Sequence, residues 1–346
     1  MRAVPDAAVR PLLALPALPG LPVLLAFLAV LYGAGVACGG AVNDVPHSAE
    51  AEAALQAEAV SSGGSAHALP VGQSARPQGS GGPHLSYYGG RVIENAEVVA
   101  VFWGEGVSGD VKAGMGDFYE TALKSSYVDW LSEYDTNVSA VNGSRGTGQH
   151  IGRGGLKQAA VVHPKAHQGV LTDAAIRAEL TAQISARKLP APGPNTLYMV
   201  HFPAGVQIDL QGSRSCEAGG FCAYHNSFRR RGKEVDYGVL PDLGPGSGCD
   251  TGCGRGATVF DNQTAVASHE LIEAITDPQV GLAKGLGPPL AWYDAAGGEI
   301  GDLCNGQQGR LRATSGRSYA VQKEWSNKAK ACVVSRKPGQ EAWAWP

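Results

Sequence analysis

Six of the seven cysteines, Cys216, Cys222, Cys249, Cys253, Cys304 and Cys332, lie in the C-terminal part of the chain and constrain its fold more than any other feature. An even set of cysteines in an exported chain pairs off as disulfides, although six thiols allow fifteen pairings. Cys249 and Cys253 have the alternative of being half a zinc knot. No second close pair of Cys or His accompanies them, so three disulfides are expected. Such a chain closes its loops by cross-links. A Gly- and Cys-rich stretch such as residues 244–256 is then ordered because it is tied down.

Export is read from the N-terminus. Arg2 and Arg10 precede an apolar run over residues 11–37, which ends in Gly35-Val36-Ala37-Cys38. A positive start, an apolar middle and small residues before a cut form a secretory signal. Cysteine directly after Val-Ala resembles a bacterial lipoprotein signal, with Cys38 lipidated after cleavage, although Gly35 stands where leucine is usual. Plain secretion and an uncleaved anchor are the alternatives, and Pro16, Pro19 and Pro22 interrupt the helix an anchor would need. Residues 1–38 are therefore read as signal, and the protein as secreted or a cell-surface or outer-membrane lipoprotein anchored through Cys38. Residues 39–84 are Ala, Gly, Ser, Gln and Pro with few large apolar side chains, the composition of a flexible tether. A net charge of −3 offers no basic field for nucleic acid.

The folded part, residues 85–346, alternates strand and helix patterns. Residues 98–103 form a continuous apolar, β-branched run, the mark of a buried strand. Apolar residues from Met115 to Leu131 recur at helical spacing behind Ser108 and Asp110. A Gly-rich stretch over residues 143–155 is read as loop. Thr172-Asp173 opens a second helix that ends before Pro190, and residues 195–203 read as another buried strand. Strands over 220–228 and 235–240 are joined by a polar turn through Arg229-Arg230-Arg231. The fold class is α/β (α+β): a single domain with a short mixed sheet, stapled by disulfides.

The chemistry concentrates in His269-Glu270-Leu271-Ile272-Glu273, on a helix spanning about residues 264–276 and ended by Pro278. His269 and Glu273 are four residues apart, so they project from one face. This is the spacing of the His-Glu-x-x-His zinc helix with a carboxylate in the second ligand position. Glu270 stands where such sites keep a general base. A third ligand comes from elsewhere, and Glu299 and Asp302 in the segment before Cys304 are the candidates. Asp302 has the alternative role of orienting His269. Asp277 and Asp294 read as cap and turn residues, and His201 as a core histidine. One imidazole with two carboxylates suits Zn2+, with Ca2+ and Mn2+ as alternatives.

The order of these motifs is similar to that of the phosphate-induced/EXORDIUM-like family of secreted proteins. The resemblance runs from Tyr88-Gly89-Gly90 through Phe221-Cys222-Ala223-Tyr224-His225, the motif helix, Trp292-Tyr293 and Glu299-Ile300-Gly301-Asp302-Leu303-Cys304 to Trp325-Ser326 and Cys332. It implies an extracellular location and a fold more than a reaction. The His-Glu helix also resembles the catalytic half of zincin metallopeptidases. That likeness implies a zincin-like plan in which residues 235–240 are an edge strand that takes an extended peptide. It further implies zinc on His269, Glu273 and either Glu299 or Asp302, Glu270 as general base, and Tyr224, His225, Tyr293 or His201 as oxyanion donor. The expectation is a zinc-dependent hydrolase acting on peptides. The alternatives are a non-catalytic module with a structural metal that binds cell-wall polymer or a protein partner, and acidic residues that serve the fold alone.

Overall fold

Every position of the 98–103 run is apolar because both faces of that strand are covered. Val98, Ala100 and Phe102 join one buried cluster and Val99, Val101 and Trp103 the other, as the two-residue period of a strand requires. The computed structural model describes residues 67–72, 82–337 and 339–344. The signal over residues 1–38, and Cys38 with it, lies outside the described residues. No helix among the described residues is long and apolar enough to cross a membrane.

The main sheet is built from β1 (His67–Pro70), β2 (Asn95–Trp103), β3 (Gly152–Val162), β4 (Thr196–His201), β5 (Phe221–Arg230) and β6 (Lys233–Leu240). Their spatial order is β1-β5-β6-β4-β2-β3. The four strands from β6 to β3 run parallel, and β5 is antiparallel to both its neighbours. Four helices accompany the sheet among the described residues: α1 (Gly109–Leu123), α2 (Ser126–Asp129), α3 (Asp173–Ser185) and α4 (Val259–Thr276). Met115, Phe118 and Leu123 of α1 share one core with Leu271, Ile272 and Ile275 of α4. Ile176, Leu180 and Ile184 of α3 pack on the opposite face with Tyr224, Phe228 and Tyr237.

Helix boundaries follow local chemistry. Thr172 accepts from Ala175 N at 3.2 Å at the start of α3, and Thr258 from Asp261 N at 3.0 Å at the start of α4. Ser108 is the first flanking residue of α1 but makes no side-chain cap. Helix α4 begins earlier than its apolar pattern suggests and ends at Asp277, which has left helical geometry before Pro278. From Gln263 to Thr276 every residue of α4 is buried, so this stretch, which carries the motif, has no solvated edge. The sheet covers one side, and a hairpin of β7 (Gln308–Arg312) and β8 (Ser318–Gln322) covers the other. Thr264 Oγ1 donates to Ala320 O at 2.8 Å, and Ser268 Oγ accepts from Gln322 N at 2.8 Å.

Three expectations are corrected. Residues 235–240 are not an edge strand, because β6 lies between β5 and β4. The Gly-rich stretch does not stay loop: it enters β3, whose many half-buried positions leave it without an apolar signature. Part of the tether stretch is sheet, since β1 comes from within it. The six cysteines form three disulfides, Cys216–Cys249, Cys222–Cys253 and Cys304–Cys332.

Candidate metal centre

Helix α4 presents His269, Glu270 and Glu273 toward β5 and toward the segment that precedes Cys304. On β5, alternation sends Ala223, His225 and Ser227 to the α4 side and Tyr224 to the α3 side. His225 Nδ1 therefore lies 3.2 Å from Glu270 Oε2 and 3.7 Å from Glu273 Oε2. Its Nε2 faces Glu299 Oε1 at 3.4 Å and Asp277 O at 3.3 Å. One turn along α4, His269 Nε2 lies 3.1 Å from Glu273 Oε2.

The segment after β6 and α4 is held close. Asp294 takes the turn role expected of it: its Oδ1 accepts from Ala296 N at 2.9 Å and its Oδ2 from His84 N at 2.7 Å. Asp302 N donates to Glu273 Oε1 at 3.1 Å, and Glu299 N donates to Asp302 Oδ2 at 3.2 Å. Gly301 makes this approach feasible, since a Cβ there would come within 2.6 Å of His269 Nδ1 and 2.9 Å of Glu273 Oε1. Cys304 ties the segment to Cys332.

Two groups of donor atoms result, each drawn together within 4.8 Å: His225, Glu273 and Glu299, and His269, Glu273 and Asp302. Glu273 belongs to both. All five residues are buried, as are Glu270 and Glu324. No lysine or arginine pairs with Glu270, Glu273 or Glu324 among the described residues. Glu270 Oε1 and Glu324 Oε2 are buried without a hydrogen-bond partner. Carboxylates removed from water need compensating charge, and the imidazoles of His225 and His269 face Glu270 and Glu273. Burial would depress both histidines, yet Glu299 and Glu270 hold His225, and Glu273 holds His269, well above the ordinary imidazole range. Burial raises Glu270 and Glu324 above the usual carboxylate range. The two donor groups, with the orphaned oxygens of Glu270 and Glu324 close by, fit a divalent cation.

Glu270, His269, Glu273, Glu299 and Asp302 are thus brought together. His225 joins them as a member of one donor group. Tyr224 does not: its hydroxyl donates to Asp173 Oδ1 at 2.7 Å, on the far side of the sheet. His201 is a core residue whose Nε2 lies 3.0 Å from Tyr119 Oη, its imidazole pushed down to about 3 by burial. Sequence reasoning missed Gln322 and Glu324. Gln322 Nε2 lies 2.6 Å from His269 Nδ1 and donates to Gly301 O at 2.9 Å. Tyr127 Oη donates to Glu324 Oε1 at 3.0 Å. Gln322 closes the strand Ser318–Gln322 and Glu324 opens the next short strand, so no periodic pattern singles either out.

Fold and site together define a mixed α/β protein, stapled by three disulfides as chains of oxidising compartments are, around a buried His–carboxylate cluster. No family model, curated protein or solved structure matches the chain.

Proposed function

We propose that the chain is an exported module in which the buried cluster holds a structural divalent metal ion and the surface binds a partner, with Cys38 as its lipid anchor. The observation that supports this most is Glu273, shared between the two donor groups. His225, Glu273 and Glu299 would hold the ion, or His269, Glu273 and Asp302. Bound there, the ion would add positive charge beside the buried carboxylates. Zn2+ suits the mixed donors, and Mn2+ or Ca2+ the carboxylate excess. Complete burial favours a structural role, because a catalytic ion needs an open position. Joining β5, α4 and the Cys304 segment through one centre is what such an ion does for a fold.

A second reading, a zinc-dependent peptide hydrolase of zincin-like plan, is favoured by Glu270. That side chain neighbours His269 and keeps one oxygen without a hydrogen-bond partner, the position of a general base. Elemental analysis of the purified protein tests both readings. About one divalent ion per chain is expected, lost in Glu273→Ala and retained in Glu270→Gln. Metal-free protein whose thermal midpoint ignores chelator would overturn the metal centre. Peptide cleavage abolished by Glu270→Gln with metal retained would replace the structural reading by the hydrolytic one.

A further inference from the structure

A cavity of ≈ 260 Å³ is bounded by β1, the loop tied down by Cys222–Cys253, α4 and the β7–β8 hairpin. That volume is just below the range of about 300–1,000 Å³ usual for small-molecule sites, so its occupant is small. Leu69, Cys222 and Val266 give the cavity an apolar wall. Its polar side chains are Arg255, Asn305, Gln308 and Gln322, and no Asp or Glu lines it.

These four side chains fall into two sorts. Gln322 is buried, and its amide is taken up by Gly301 O and His269, so it is the wall shared with the cluster. The side chains of Arg255, Asn305 and Gln308 make no hydrogen bond or ion pair with any described residue. Asn305 and Gln308 are half-buried, where amides are ordinarily paired. Arg255 is exposed at the rim, with its guanidinium over Gly306. A Cβ on Gly306 would come within 3.3 Å of Arg255 Nη2 and 3.4 Å of its Nε. The acid nearest in sequence to Arg255 on the α4 side, Asp261, is already paired with Arg310 at 2.7 Å. One uncompensated cation and two unengaged amides therefore share a cavity that also has an apolar wall. A guanidinium fork matches a carboxylate with two parallel hydrogen bonds, and amide N–H groups donate to the same oxygens.

We infer that this cavity binds a small organic carboxylate, its charge held by Arg255 with Asn305 and Gln308 and its apolar part against Leu69 and Val266. The inference goes beyond the metal centre and stands without it, since none of these residues belongs to either donor group.

The test is calorimetric titration of the purified full-length chain with isovalerate and N-acetyl-leucine. The neutral amide of N-acetyl-leucine and inorganic phosphate serve as controls. A carboxylate should bind at one site per chain while the amide stays silent. Arg255→Gln should weaken that binding about tenfold or more, the loss of a charge-assisted hydrogen bond, and Gln308→Ala by less. Because Arg255 is exposed, the thermal midpoint of its variant should match wild type. No binding of either carboxylate, or equal binding by wild type and Arg255→Gln, overturns the inference. Phosphate that binds as tightly as the carboxylates overturns the choice of ligand class. Metal content is measured on the same samples, so failure of this site and failure of the metal centre are read separately.

Discussion

Removing the Cys304–Cys332 disulfide should do more than its chain entropy accounts for. This bond closes a separation of 28 residues and Cys216–Cys249 one of 33. In the loop-entropy model those separations correspond to about 3.6 and 3.7 kcal/mol, equal for practical purposes. Each loss should lower the thermal midpoint by about 7–15 °C in a domain of this size. The two bonds differ in what they anchor. Cys304 ends the segment that carries Glu299, Gly301 and Asp302, and Ile300 O in that segment accepts from Trp325 N at 3.1 Å. Cys216–Cys249 fixes the loop after β6, away from the donor atoms. Paired Cys→Ser variants should therefore match in entropic cost and diverge in metal retention. The Cys304/Cys332 variant should release the ion to a competing chelator about 10–100-fold more readily, the range found when groups supporting a metal's ligands are lost. Chelator titration with metal analysis, run beside thermal unfolding, measures both. Equal metal retention in the two variants would refute the assignment of the Cys304 segment as a donor loop held by its disulfide.

Other outcomes follow from single contacts. Gly301→Ala should reduce metal content and lower the thermal midpoint, because the added Cβ would crowd His269 and Glu273; wild-type metal content would contradict the close approach. Thr258→Ala removes the α4 cap and should cost about 1 kcal/mol in urea unfolding with metal binding intact. Tyr224→Phe should destabilise by about 1 kcal/mol through its bond to Asp173 and leave metal content unchanged; metal loss would return Tyr224 to the site. His201 stays neutral when folded, its pKa lowered to about 3 by burial. The unfolded chain therefore takes up this proton first, and stability falls as pH drops from about 6.5 toward 3. Urea unfolding at about pH 6.5 and 4.5 should show a loss of roughly 2–3 kcal/mol from this group, absent in His201→Gln.

Much of the local structure was legible because it depends on neighbours in sequence. The 98–103 run, the Thr172 start, the stop at Pro278 and the β5–β6 hairpin each follow from side-chain periodicity, a capping hydroxyl or the missing proline donor. The i, i+4 placement of His269 and Glu273 is a property of any helix, and an even count of cysteines needs no fold to suggest disulfides. Which cysteines pair, and that β6 is central while residues 67–70 form the edge, were settled by contacts distant in sequence. The same holds for the cluster. His225, Glu299, Asp302, Gln322 and Glu324 reach α4 from a strand, a segment, a hairpin and the short strand after it, and only packing of those elements decides which carboxylates leave water together. Periodicity reports the face a residue occupies, whereas the partner on that face is fixed by the energy of burying both at once.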